Sequence, residues 1–178
     1  MDILTLDNNL LIFISQNNNN SFLSFLALLF SGYGLLGLIW VLLAVILIIK
    51  ERKHFRVIVL FFLTIISSSI INNGFLKLIF ARLRPEYSIP NLQVYKITND
   101  YYSFPSSHAA VAFAGAVILA AVFPKRKKLI YFIALLIAIS RVYLAVHFPL
   151  DIIAGSLVGY VIGRTFLYIN KKINFIKI

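Results

Sequence analysis

Three short stretches carry residues whose types and spacing can do chemistry: KLIFARLRP at 77–85, FPSSH at 104–108 and SRVYLAVHFPLD at 140–151. Lys77 and Arg84 are seven positions apart, which on a continuous helix stacks them on nearly one face about 10 Å apart. Pro85 would stop that helix just beyond. In the second stretch Pro105 suits the first helical position, and the N–H groups of Ser106, Ser107 and His108 then point out of the positive end of a helix dipole. That is a cradle for an anion, with plain helix capping as the alternative for the Ser106 hydroxyl. In the third, Arg141 ends one apolar segment and Pro149 begins the next, leaving His147 in a tight connection and Asp151 in the first turn that follows. A carboxylate four residues on can hold the imidazole by one nitrogen and leave the other nucleophilic. The same carboxylate also suits the helix dipole. Cations, a helix N-terminus, two histidines and one carboxylate suit a phosphate: they can stabilise its charge, attack phosphorus and protonate the departing oxygen.

A metal is not implied by this inventory. The acidic residues are Asp2, Asp7, Glu51, Glu86, Asp100 and Asp151, with no clustered pair to hold Mg²⁺ or a two-metal centre. There is no Walker-type glycine loop, and the absence of cysteine removes thiol chemistry and disulfides. No cofactor is expected.

The elements that must position these residues are membrane helices. A chain of 178 residues that is 61% hydrophobic and 13% charged, with mean hydropathy +0.92, is not an ordinary soluble domain. Apolar segments at Leu23 to Ile49, Val57 to Phe80, Ala109 to Phe123, Leu129 to Leu144 and Leu150 to Ile169 predict about five transmembrane helices. The expected fold class is therefore an all-α integral membrane bundle, a single domain over 1–178. The N-terminal MDILTLDNNLLIFISQ lacks the basic region and small-residue cleavage site of a signal peptide and is expected as an interfacial helix, with Asn17 to Asn20 as a polar turn. Gly155, Gly159 and Gly163 recur every four residues and predict a close helix-packing face. Asn72 and Asn73 can hydrogen-bond a neighbouring helix.

The net charge of +11 is grouped in the connections, at Lys50, Arg52, Lys53 and Arg56, at Lys125 to Lys128, and at Lys171, Lys172 and Lys177. Nucleic acid is not the expected partner. The positive-inside rule places these groups in the cytoplasm. With five spans, Lys77, Arg82, Arg84, His108, Arg141, His147 and Asp151 then all fall on the extracytoplasmic side. Ionisable groups beside membrane spans cost about 2.5–3.5 kcal/mol each on insertion scales and mark sites or pathways.

The ordered spacings K-x6-R-P, P-S-x-H and S-R-x5-H-x3-D resemble the three motifs of the type 2 phosphatidic acid phosphatase superfamily, over Lys77 to Asp151. The resemblance implies a metal-independent membrane lipid phosphatase working through a phosphohistidine. His147 would be the nucleophile, Asp151 its support and His108 the general acid. Lys77, Arg84, Arg141, Ser106 and the N–H of Ser107 would hold the phosphoryl oxygens. Ser107 stands where many relatives carry glycine, which bears on pocket width and leaves the backbone donor in place. Arg82 lies outside the matched positions and is expected to snorkel or meet a lipid headgroup.

The expected substrate is a membrane lipid phosphate or diphosphate in a bacterial inner membrane. Undecaprenyl diphosphate comes first, and lipid A 1-phosphate, phosphatidylglycerophosphate and phosphatidate are the alternatives. The polar 86–104 loop and the N-terminal segment are expected to set the choice. An anion transporter without chemistry is the reading from another class, although its charges belong near the bilayer midplane rather than at one surface. A soluble vanadate haloperoxidase shares the motifs but not five apolar spans.

Overall fold

The structure is a computed structural model that describes residues 2–18, 20–31, 42, 45, 55–95 and 100–175. Among the described residues six longer helices organise it: α1 (Ile3–Gln16), α2 (Ser21–Ser31), α3 (Phe55–Ile71), α4 (Ser107–Val122), α5 (Lys127–Tyr143) and α6 (Pro149–Ile173). A π-helical turn, Asn72–Leu76, and one further α turn, Lys77–Phe80, prolong α3, and a short helix, Pro85–Ser88, follows. Among the described residues the β structure present is an isolated antiparallel bridge between Leu83 and Tyr102. Two helices, Arg56–Phe80 and Pro149–Ile173, are long and apolar enough to cross a membrane. Of the other expected spans, α4 has 16 residues and α5 has 17. The first is described through α2 and at Leu42 and Val45, while Trp40, Lys50, Arg52, Lys53 and His54, with Lys177, lie outside the described residues.

Helix α4 is the centre of the bundle, packed by α3, α5 and α6. Its sequence SHAAVAFAGAVILAAV is apolar nearly all round, and most of its residues are buried, as a helix without a polar face must be. Small side chains bring its neighbours close. A methyl built at Gly155 would run into the Ser106 carbonyl and one at Gly159 into the Ala110 carbonyl, while one at Gly163 would lie 2.7 Å from Val117 Cβ. The expected glycine face on α6 is thus the α4–α6 contact. Outward, Leu63, Ile66, Ile70, Leu78, Ile79, Leu129, Phe132, Leu157 and Val161 are exposed, an apolar exterior suited to lipid, where helices satisfy their own backbone bonds.

Helix α1 packs on the bundle by one stripe and keeps outward the apolar face expected of an interfacial helix. Asp7, Leu11 and Ser15, four residues apart, form its buried stripe, whereas Ile3, Leu4, Leu6, Leu10 and Phe13 are exposed. Asn17, Asn18 and Asn20 lie between α1 and α2, where a polar turn was expected, and they are anchored. Asn20 Oδ1 accepts from the N–H groups of Phe22 and Leu23, both at 3.0 Å, and caps α2. Asn18 Nδ2 donates to the Tyr143 carbonyl at 2.6 Å, and Tyr95 donates its hydroxyl proton to the Asn18 carbonyl at 2.5 Å.

Candidate active site

The ends of four helices meet at one place: the C-terminal ends of the α3 run and of α5, and the N-terminal ends of α4 and α6. In α3 the buried positions Thr64, Ser68 and Asn72 recur every four residues, and the next one is Lys77, five residues on. The π-helical turn supplies that extra residue. Without it the fourth residue after Asn72, Leu76, would face the centre. The same turn presents Asn72 Nδ2 to the Pro105 carbonyl at 2.9 Å and to Ser107 Oγ at 2.8 Å. Ser107 in turn donates to Asn73 Oδ1 at 2.5 Å. The two asparagines therefore make the expected interhelical bonds, and they make them to the PSSH segment.

Lys77 and Arg84 come together by a different route from a continuous helix. The helix ends at Phe80, and Ala81 takes a left-handed backbone, φ 45°. Arg84 follows in extended chain, its N–H bonded to the Tyr101 carbonyl at 3.0 Å, while the Ser103 N–H donates to the Arg82 carbonyl at 2.8 Å. This short pairing ties residues 82–84 to 101–103 and brings in Asp100, which the sequence did not single out. Lys77 Nζ pairs with Asp100 Oδ2, and Arg84 Nη2 lies 3.2 Å from the same oxygen. Arg84 Nε also donates to the Asp100 carbonyl at 2.5 Å. Burial works against the Asp100 charge, but Lys77 and Arg84 hold its carboxyl below the ordinary value. Two cations closing on one oxyanion is the contact they would make with a phosphate, and Asp100 stands in for it here.

Pro105 is not the first helical residue. Ser106 is the N-cap and Ser107 begins α4, while the Ser106 N–H, expected to face an anion, donates to the Asp151 carbonyl at 3.0 Å. The Ser106 hydroxyl remains as the group that fits one: its Oγ is buried and has no hydrogen-bond partner. Such a group is costly unless a ligand or water meets it. His108, in the first turn of α4, is buried and within electrostatic reach of Arg141, His147, Arg84 and Lys77.

His147 is 1% exposed. Its Nδ1 lies 3.3 Å from Asp151 Oδ2, and its Nε2 lies 3.4 Å from Arg84 Nη1. A guanidinium can only donate, so Nε2 is the acceptor and Nδ1 carries the proton toward Asp151. That is the orientation expected from the i, i+4 spacing. Burial, followed by Arg84, Arg141 and Lys77, pushes His147 well below the ordinary imidazole value and keeps it neutral. Asp151 also accepts the Phe148 N–H at 2.9 Å, closing the start of α6 behind Pro149, so the capping and site roles coincide.

Arg141 is fully buried, with Nη1 donating to the Ser31 carbonyl at 3.2 Å and bonded to Ser31 Oγ. The other departure is Arg82, expected to snorkel. It bonds Asp151 at 2.9 Å and Asp7 of α1 at 2.7 Å. The signal for Asp7 was an acidic residue inside an apolar helix; its partner was not readable. Among the described residues no three His, Asp or Glu side chains converge as metal ligands do.

A family model described as the PAP2 superfamily matches residues 57–175. The undecaprenyl-diphosphatase of Sulfolobus acidocaldarius is 34% identical over 125 residues, 68% of this chain and 58% of that protein. The lipid A 4′-phosphatase of Bacteroides thetaiotaomicron is 32% identical over 142 residues, 73% of this chain and 63% of that protein. The chain thus spans less than two thirds of either curated relative. The crystal structure of a transmembrane PAP2-type phosphatidylglycerolphosphate phosphatase from Bacillus subtilis superposes with TM-score 0.72 and 26% identity, covering 96% of this chain and 87% of that one. The all-α membrane bundle expected from the sequence is the fold found there.

Proposed function

Because the chain belongs to the PAP2 superfamily, we propose that it is a metal-independent membrane lipid phosphatase that works through a phosphohistidine. One observation carries the reading: His147 is held by Asp151 at Nδ1 and points Nε2 toward Arg84, whose guanidinium already grips an oxyanion together with Lys77. In the proposed reaction the substrate phosphate replaces the Asp100 carboxylate. Its oxygens are held by Lys77, Arg84, Arg141, Ser106 Oγ and the Ser107 N–H. Nε2 attacks phosphorus, the P–O bond to the lipid breaks, and His108 gives its proton to the departing oxygen. His108 then takes a proton from a water that attacks the phosphohistidine, and inorganic phosphate leaves. A transporter without chemistry would not need the oriented His147–Asp151 pair.

The substrate we place first is undecaprenyl diphosphate, cleaved to undecaprenyl phosphate and phosphate, as the name of the Sulfolobus relative supports. Lipid A phosphate, phosphatidylglycerophosphate and phosphatidate are the competing lipids. We place the protein in a bacterial inner membrane, as one domain over 1–178, with its site on the extracytoplasmic side. Phosphate release by the purified protein from these four lipids in matched micelles tests the reading. A preference above about tenfold, equal to about 1.4 kcal/mol in the transition state, is expected for the diphosphate. EDTA should leave the rate unchanged and vanadate should inhibit, as an analogue of five-coordinate phosphorus. Loss of activity on chelation, restored by Mg²⁺, would reject the mechanism.

A further inference from the structure

The carboxylate of Asp151 is held from two directions, and one of them reaches back to the N-terminal helix. Arg82 Nη1 donates to Asp151 Oδ1 at 2.9 Å and its Nη2 donates to Asp7 Oδ2 at 2.7 Å. The second Asp7 oxygen accepts the Leu150 N–H at 2.8 Å. The guanidinium lies over the Phe148 ring, 3.8 Å from its centroid. Asp7 is 2% exposed and Asp151 0%. Burying a carboxylate is costly unless it is paired, and a helix that only rests on lipid needs none. Both bonded Arg82 nitrogens go to carboxylates other than Asp100, the oxyanion that Lys77 and Arg84 hold.

We propose that Asp7 and Arg82 are positioning residues for this reaction, fixing the plane and charge of the Asp151 carboxylate and through it the His147 imidazole. The N-terminal helix is then a working part of the site. The proposal rests on the phosphohistidine reading above. With Oδ1 on Arg82, the other oxygen, Oδ2, faces the Phe148 N–H and His147 Nδ1. Without Arg82 the carboxylate can rotate, and its undiluted charge draws a proton onto His147. Asp7 sets how much of the Arg82 charge reaches Asp151. The row Asp7, Arg82, Asp151 thus alternates in sign beside His147. The other charged or titratable groups facing His147 are Arg84 after the α3 run, Lys77 within it, Arg141 on α5, His108 on α4 and Asp100 in the 82–84 pairing. The variants below leave all of these unchanged.

The test uses the full chain in detergent micelles with a lipid phosphate substrate, comparing wild type, Arg82→Gln, Asp7→Asn and the double variant. Arg82→Gln should lower kcat about tenfold to a hundredfold, the range for one charged hydrogen bond, with KM changed by less than about twofold. Losing a cation should move the acid limb of kcat/KM to higher pH, and losing the Asp7 anion should move it to lower pH. If Asp7 acts through Arg82, the double variant should have nearly the kcat of Arg82→Gln alone. Arg82→Lys and Asp7→Glu keep the charges and should keep the limb in place, and they serve as the measured pair if the neutral variants do not fold. Opposite shifts of the limb support the proposal. An unmoved limb in both neutral variants, or a fall in thermal stability alone, overturns it. A wild-type chain that releases no phosphate and forms no phosphohistidine overturns the functional reading and this proposal together, whereas an active wild type with indifferent variants overturns only the positioning role.

Discussion

His147 stands between a carboxylate and a guanidinium, and each restrains a different nitrogen. Asp151 settles which nitrogen keeps the proton, and Arg84, which can only donate, settles that the other stays bare. Under the proposed mechanism such a residue should be irreplaceable, because it is the one that forms the covalent intermediate. His147→Ala is expected to abolish turnover of every phosphate ester. His108→Ala removes only the proton donor, and p-nitrophenolate leaves without help. If the protein accepts p-nitrophenyl phosphate, His108→Ala should keep a much larger fraction of its activity on that ester than on a lipid. Equal losses on both substrates would show the roles to be misassigned. The same residue predicts a pH profile. His147 lies in the connection between α5 and α6, where burial and then Arg84, Arg141 and Lys77 lower its value well below 6.5. A lowered value leaves the imidazole neutral further into acid, so activity present above pH 6.5 persists below it and fails only as the lowered value is passed. The acid limb of kcat/KM, corrected for the titration of the substrate phosphate, should therefore lie below pH 6.5; a limb at or above 6.5 contradicts the geometry.

The elements that deliver these side chains were only partly legible in the sequence. Lys77, Arg84, His108, Arg141, His147 and Asp151 stood out because ionisable groups beside apolar spans are costly and so rare. The glycine face of α6 was legible because period-four glycines do nothing else as well as let helices touch. Three features were not. The left-handed break at Ala81 has no glycine to announce it, and the π-helical turn at Asn72–Leu76 looks like ordinary helix until the buried stripe skips a residue. The third is the choice of partner for Asp7 and Asp100, which depends on long-range packing and not on spacing along the chain. Packing also ties the glycine face to the site. A methyl at Gly155 meets the backbone carbonyl of Ser106, which cannot turn aside, whereas one at Gly163 meets first the Val117 side chain, at 2.7 Å. Both alanine variants should lose about 1–3 kcal/mol of stability by overpacking. Only Gly155→Ala should also lose phosphatase activity, because Ser106 must move and its N–H is bonded to the Asp151 carbonyl. Thermal unfolding and phosphate release measured on the same preparations separate the two effects, and equal activity in the two variants would sever the link between α6 packing and the site.

Across the whole molecule the charges sort by helix end. The site gathers at the C-terminal ends of the α3 run and α5 and the N-terminal ends of α4 and α6. Arg56 lies at the opposite end of α3, Lys125 and Arg126 join α4 to α5, Lys127 and Lys128 begin α5, and Lys171 and Lys172 close α6. The antiparallel arrangement is visible in one contact: Arg56 Nη1 donates to the Phe175 carbonyl at 3.2 Å, bringing the start of α3 beside the end of α6. Basic residues at one end of a bundle favour the cytoplasmic side during insertion. In the orientation proposed above, the site at the other end would face out, where an amphiphile can present its phosphate while its tails stay in lipid. The cysteine-free chain makes this directly testable. Tyr101, beside Asp100 and 62% exposed, and the exposed Lys128 in the first turn of α5 mark the two ends. In intact cells a membrane-impermeant maleimide should label a Tyr101→Cys variant at once and a Lys128→Cys variant only after the membrane is opened. The reverse pattern would turn the bundle over and put the site in the cytoplasm, where a lipid phosphate would have to be met on the inner leaflet.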